Sequence, residues 1–443
     1  MSITKQLNEA YLSAAERDPA GLEADFEKIT AYMKGCTAIH HGEYVRTCYK
    51  PKLLTERVFS RLSADMKTLY SIFGKITAAY FADDAYRARF GFDARTEELI
   101  LRADPNLSLL PMARIDFFYQ EETGDYTFCE FNTDGTSAMN EDRELHNAQK
   151  LSAQYHAFTS SHRTRSCELF DSWVDTVLRI YRRKYGGTAM PNVAIVDYLE
   201  CGTVNEFEIF RQHFEAKGLP AEVCDVRELH YDASSASLTG KTGRRIDVIY
   251  RRAVTSDVLA HYEESTALLQ AAREDAVLLL GDFHTQLVHN KTIFRVMQEP
   301  ETLALLTEEE KAYIRAHVPV TKRFEERDLE EVLAHKDRWI LKPLDSYGSR
   351  GVHAGVENDD KWWAHLARKT VKENYLLQEF CMPYVTENYG MKNGRFGKNR
   401  YYNLTGLYVY DGVPQGVYSR VSLSPIISSQ YSEKTLPTLL VDE

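Results

Sequence analysis

Aromatic and polar positions alternate over two short runs, Arg114-Ile-Asp-Phe-Phe-Tyr and Tyr126-Thr-Phe-Cys-Glu-Phe-Asn132, separated by Gln-Glu-Glu-Thr-Gly-Asp. The pattern predicts a β-hairpin turning at Gly124. A period of two puts Arg114, Asp116 and Phe118 on one face of the first strand, and Phe128, Glu130 and Asn132 on one face of the second. Upstream, Leu54, Val58, Leu62, Met66, Leu69, Phe73 and Ile76 recur at spacings of three and four, a helix with one buried stripe. Residues 1–110 are read as an N-terminal helical cap ending in the turn Asp104-Pro105-Asn106.

Downstream the pattern predicts helices around 141–162 and 167–184, then a βαβ-like segment over 192–282. Its strands are 192–197, 221–224, 246–250 and 276–280, with a helix from Glu206 to Ala216, which argues for a mostly parallel sheet. A helix is expected from Phe283 through Met297, and a capping box, Thr307 with Glu310, opens another that runs to His317. A short helix over 329–335 leads into a strand at Trp339–Lys342, with a further strand at Tyr375–Phe380. The last part is β-rich: strands at 401–410 and 416–423 are joined by Asp411–Gly416, and the basic, glycine-rich 391–399 reads as a mobile loop able to act as a lid.

With 443 residues, one large enzyme or two to three closely joined domains are expected. A net charge of −11 argues against a general nucleic-acid binder and is compatible with a cationic amine substrate. The seven cysteines show no C-x-x-C spacing and read as reduced thiols in apolar runs. No stretch approaches 18 apolar residues and the N-terminus has no apolar h-region, so a cytoplasmic, soluble chain without a membrane partner is expected. His40-His41 is not read as a metal site, because adjacent residues point apart on regular elements.

Two stretches carry chemistry. If the hairpin faces coincide, Arg114, Asp116, Glu130 and Asn132 form one cluster of hard oxygen ligands suited to Mg²⁺ and a cation suited to a transferring phosphoryl group. A solvated hairpin face with an ion pair has the same residues. In the second stretch an apolar strand ends at Lys342-Pro343 and is followed by Ser346, Gly348, Ser349 and Gly351. Such a loop brings backbone N–H groups close to phosphates while the lysine supplies a point charge, although an ordinary hairpin turn also explains it. It is neither a Walker A sequence nor G-x-G-x-x-G. Asp197, Glu206, Arg251 and Arg252 follow or face the carboxyl ends of the parallel strands, where ligands bind in such sheets; surface salt bridging is the alternative.

Lys-Pro with a Gly/Ser loop, then Gln378-Glu379-Phe380, resembles the nucleotide site of an ATP-grasp ligase. Glu130-Phe-Asn132 precedes that loop by about two hundred residues, the inverted order of the circularly permuted ATP-grasp group, of which glutathionylspermidine synthase is the type. Arg114, Asp116, Glu130, Asn132, Asp134, Asn290, Lys291, Lys342, Pro343 and Arg420 match that pattern in order, across roughly residues 112 to 425.

The resemblance implies an α/β (α+β) chain: a helical region over 1–110, a first part of the ATP-grasp domain over 111–190, a pre-ATP-grasp α/β domain over 191–300 and a nucleotide-binding part over 301–443. It implies ATP and Mg²⁺ as cofactors, with the metal on Asp116, Glu130 and Asn132. Phosphates would lie on Lys291, Lys342 and the Ser346–Gly351 loop, and adenine at Gln378, Glu379, Phe380 and Cys381. Arg114 and Arg420 would be catalytic, with Asp134, Thr136, Ser137, Glu206 and Arg251 towards the substrates. The implied reaction joins a small-molecule or peptide acid to an amine through an acylphosphate, glutathione and a polyamine being the pair suggested. No Cys/His nucleophile signature marks the first hundred residues, so the separate amidase of bifunctional members is not expected. A small-molecule phosphotransferase and a nucleotide-binding protein without turnover stay open, and the oligomeric state is not legible.

Overall fold

The computed structural model describes residues 2–40, 42–344, 350–428 and 433–443. Its spine is the 16-residue strand Arg395–Tyr410. One half pairs antiparallel with Val385–Lys392, the other with Met112–Tyr119, and Val413–Ser422 runs along its opposite edge. Tyr126–Asn132 and Lys434–Leu436 close the two sides of this six-stranded sheet. One face is apolar: Ile115, Phe117, Phe131, Leu407 and Val409 pack with the stripe of helix Glu56–Ala82, including Leu62, Met66, Leu69, Phe73 and Ile76. The other face carries the polar residues considered below.

The predicted hairpin forms, with Arg114 opposite Asn132 and Asp116 opposite Glu130. The register then shifts, Phe117 pairing with Phe128, so Cys129 is an extra residue on its strand. This β-bulge reverses the alternation. Glu130 and Asn132 keep the face of Asp116, whereas Phe128 turns to the core with Tyr126, against the shared face expected from simple alternation.

Three other expectations are corrected. Residues 391–399 are not a loose loop: Lys392 pairs with Arg395 across a two-residue turn, Asn393 at φ 50° and Gly394 at φ 75°. Asn-Gly adopts these left-handed angles readily, which is why it closes tight hairpins. Phe396 stacks on Phe26 at 4.6 Å, so the hairpin lies on the N-terminal helices. The same turn recurs at Asp411-Gly412, leaving the connection two residues long because Tyr410 already pairs with Val413. Phe283–Met297 is broken rather than continuous: Gln286–His289 stops at Asn290, in extended conformation, before Thr292–Val296 resumes.

The helical N-terminal region contains helices Ile3–Ala15, Pro19–Gly35 and Glu56–Ala82, and also a strand, Lys52–Thr55. That strand pairs in parallel with Thr438–Val441, which pairs with Thr164–Arg165 on its other edge. The parallel sheet is ordered Leu278–Leu280, Val248–Arg251, Val193–Asp197, Ala221–Asp225. A second antiparallel sheet, Thr321–Arg323, Tyr375–Glu379, Trp339–Pro343, His353–Ala354, packs on helix Asp360–Thr370 through Trp339, Leu341, Leu377 and Trp363. Among the described residues no helix is long and apolar enough to cross a membrane.

Candidate active site

Asp116 is the hub. Its carboxylate, 1% exposed, accepts two bonds from Arg114, Nε at 2.9 Å and Nη2 at 3.1 Å. It accepts a third from Arg420 Nη2 at 2.7 Å and a fourth from Asn132 Nδ2 at 3.1 Å. Two guanidinium groups are thereby fixed side by side on one buried anion, the arrangement that preorganises cations for a developing negative charge. Gly406 makes the crowding feasible. It pairs with both Asp116 and Tyr418, and a Cβ there would stand 2.4 Å from Asp116 Oδ1 and 3.0 Å from Arg114 Cδ. Arg114 and Arg420 both lie against the Tyr418 ring, at 4.8 Å and 5.7 Å.

Glu130 stands beside this hub with Lys291 Nζ at 2.9 Å. Burial alone would raise its carboxyl, but Lys291, Lys342 and His289 outweigh it and hold the group down at about 2. The break at Asn290 sets the lysine: Lys291 N donates to Leu344 O at 3.0 Å, tying it to the end of the strand that carries Lys342. Lys342 Nζ lies 3.3 Å from the carbonyl of the bulged Cys129. Two lysines and a carboxylate whose charged form they favour therefore share one wall.

That wall separates two cavities. The smaller is largely apolar, between Ile340, Val352, Phe380 and Ile426, with Lys291, Lys342, Glu130 and Gln378 at its polar side. Glu379 and Cys381 line it too. Gly351, at φ 72°, leaves no room for a side chain beside the Tyr375 hydroxyl, 2.9 Å from where its Cβ would sit. Ser346, Gly348 and Ser349 lie outside the described residues. The larger cavity is the more polar of the two and reaches from Arg114, Arg420 and Asn132 to Asp197 and Arg252.

Asp134, Thr136 and Ser137 border the larger cavity but are heavily committed to the protein. Asp134 forms a buried ion pair with Arg251 at 2.8 Å and accepts from Thr255 N at 2.6 Å. Thr136 Oγ1 donates to Asn132 O at 2.8 Å, and Ser137 O accepts from Arg114 and from the Tyr408 hydroxyl. Arg251 does not reach the crevice; its fully buried guanidinium holds Asp134 and the Gly281 carbonyl. Arg252 is the one that lines the cavity, braced by Glu206 at 3.2 Å, and Glu206 accepts from Asn140 N as well. Glu206 and Arg251 are thus bracing groups in this arrangement.

Sequence reading missed Gly406, Tyr418 and Glu141. A glycine inside a β-branched and aromatic strand is the available signal for the first; Glu141 stands in the first turn of helix Met139–Gln149, where acidic residues are ordinary. Its Oε2 accepts from the Tyr418 hydroxyl at 2.7 Å and Thr435 Oγ1 at 3.3 Å, and burial pushes its carboxyl up to about 7.

Residues 103–378 match a family described as a circularly permuted ATPgrasp. The chain belongs to the circularly permuted ATP-grasp family. A glutathione synthetase-like effector from Globodera pallida shares the fold along almost its whole length: TM-score 0.63, 12% identity, 95% of this chain and 97% of that one. D-cycloserine synthetase DcsG overlays on 57% of this chain and 91% of its own at 12% identity, and D-alanyl-alanine synthetase A from Vibrio cholerae on 58% and 89% at 8%, each with a TM-score of 0.30. No curated protein matches the chain in sequence. The circularly permuted ATP-grasp order accounts for a hairpin at 112–132 and a lysine strand at 339–343 meeting on one wall although far apart in sequence.

The donor set fits the nucleotide and metal that this family implies. Glu130 is ionised and partly open, and Asn132 turns its NH₂ to Asp116, which leaves its amide oxygen for another partner. Asp116 is different: as a direct ligand it would have to give up Arg420 or Asn132.

Proposed function

We propose that this circularly permuted ATP-grasp protein is an ATP-dependent ligase that joins a carboxylate to an amine through an acylphosphate. The observation that carries the proposal is the wall itself: Glu130 with Lys291 and Lys342 on one side, Arg114 and Arg420 on Asp116 on the other, between an apolar cavity and a polar one. Adenine suits the apolar cavity along Gln378–Cys381, with phosphates at the two lysines. Glu130 and Asn132 would hold Mg²⁺, with Asp116 either joining them or orienting the arginines; the metal neutralises phosphate charge when bound.

In this reading a carboxylate oxygen of the acid attacks the terminal phosphorus while the bond to ADP breaks. The amine nitrogen then attacks the acyl carbon, the C–O bond to phosphate breaks, and an amide and phosphate result. Arg114 and Arg420 stabilise the transferring phosphoryl group and then the tetrahedral oxyanion, a contribution of about 10²–10³ in rate per lost donor in comparable sites. Positioning across the wall supplies much of the rest. The Asp134–Ala138 loop and Arg252 border the volume open to acid and amine.

ADP release with Mg²⁺·ATP over a matrix of acids and amines tests the proposal. Glutathione and spermidine, the pair the family resemblance implies, head the matrix. Release that needs both an acid and an amine, with a product mass equal to their sum minus water, supports the ligase. Release with an acid alone indicates a phosphotransferase, and no release despite nucleotide binding overturns the proposal.

A further inference from the structure

The attacking amine arrives as an ammonium ion and needs a base. The carboxylates around the arginines are nearly all bound to cations: Asp116 to Arg114 and Arg420, Glu130 to Lys291, Asp134 to Arg251, Glu433 to Arg420 at 3.4 Å. A carboxylate locked in an ion pair is a poor base, because the pair stabilises its charged form. Glu141 differs. It lines the larger cavity, and the hydrogen bonds to its carboxylate come from neutral hydroxyls of Tyr418 and Thr435, both on Oε2. The Tyr418 side chain that donates to it is the one on whose ring Arg114 and Arg420 rest, so the carboxylate and the two cations share one aromatic side chain.

Resting on the ligase reading, we propose that Glu141 is the general base of amide formation. Its carboxylate takes one proton from the ammonium group, the freed nitrogen attacks the acyl carbon, and the C–O bond to phosphate breaks. The second nitrogen proton leaves with phosphate, and Glu141 returns its proton to solvent. The charged and titratable groups facing it include Glu433 from the C-terminal segment, Glu206 from helix Val204–Ala216, Arg114 from the hairpin, Asp142 beside it on its own helix, and the hydroxyls of Tyr408 and Tyr418. Burial and the two glutamates raise its carboxyl while Tyr418 and Arg114 lower it, leaving it at about 7, where a base both accepts and releases protons near neutrality.

The test uses hydroxylamine, a nucleophile already neutral at pH 7, beside amines of ordinary basicity. The full-length protein is given Mg²⁺·ATP, an acid panel of glutathione, γ-glutamylcysteine, alanine and citrate, and either hydroxylamine or spermidine. Glu141→Gln is expected to lower amide synthesis at least tenfold more than hydroxamate synthesis. Tyr418→Phe removes the bond that favours the charged carboxylate, so the acidic limb of its pH profile for amide formation should move to higher pH. Equal losses of hydroxamate and amide in Glu141→Gln, or no loss of either, overturn the role as base. Absence of hydroxamate from the wild-type protein across the panel overturns the ligase reading instead, and this proposal with it.

Discussion

Arg420 and Asp116 meet across an intervening strand: the guanidinium of one, on Val413–Ser422, reaches 2.7 Å from the carboxylate of the other, on Met112–Tyr119, over the bare backbone of Gly406. A methyl group at 406 would collide with Asp116 and Arg114 at once. Gly406→Ala should leave the far-UV circular dichroism spectrum unchanged and lower Mg²⁺·ATP turnover about a hundredfold, the scale of losing one preorganised donor. Unaltered turnover in the folded variant would show that the two arginines need not share Asp116.

The Asp134–Arg251 pair fixes the loop leaving the hairpin to the parallel sheet, both side chains being fully out of solvent. Asp134→Ala strands a buried cation and should cost about 3–5 kcal/mol of stability. Asp134→Leu combined with Arg251→Met removes both charges and should recover most of that loss. Urea unfolding of the single and double variants measures the coupling.

Glu141 should make the protein less stable as pH rises. Its carboxyl sits at about 7 when folded against an ordinary 4.5, so the folded state holds the proton more tightly than the unfolded chain. The fold is favoured below pH 4.5, loses that advantage between 4.5 and 7, and carries the full penalty above 7. Glu141→Gln should therefore raise the urea midpoint at pH 8 relative to the wild-type protein, with a smaller gain at pH 5. A buried carboxyl kept in place despite a cost in stability, as the proposed base would be, behaves in this way.

Thiol chemistry separates the cavity from the surface. Cys201 is exposed, whereas Cys129 and Cys381 line the apolar cavity and burial pushes the Cys381 thiol up to about 11. Iodoacetamide at pH 8 should modify Cys201 first, and Mg²⁺·ATP should slow modification of Cys129 and Cys381 but not of Cys201. Peptide mass mapping over time reads all three; equal rates with and without nucleotide would remove adenine from that cavity.

Much of this architecture is legible in alternation and spacing because those patterns are local. The hairpin, the four parallel strands and the Thr307 capping box are each written in fewer than twenty residues. The bulge at Cys129 is not legible, since Phe128 and Phe131 are equally apolar and either parity satisfies the pattern. Asn393-Gly394 carried its own hairpin signal, masked by the basic residues around it. The short Lys52–Thr55 strand escapes because its partner lies at the far end of the sequence. Around the candidate site, residue types announce charge but not pairing: nothing in the sequence distinguishes Arg251, which is turned into the protein, from Arg252, which borders the cavity.

The parallel union of Lys52–Thr55 with Thr438–Val441 has a consequence for biosynthesis. Translation delivers the first of these strands nearly four hundred residues before the second. Throughout that interval Leu53 and Leu54, both wholly buried in the finished protein, lack their sheet partner. Contacts this distant in sequence form slowly and leave apolar edges open while they wait. The apolar side chains of the first strand therefore stay open to other contacts until Thr438–Val441 has left the ribosome.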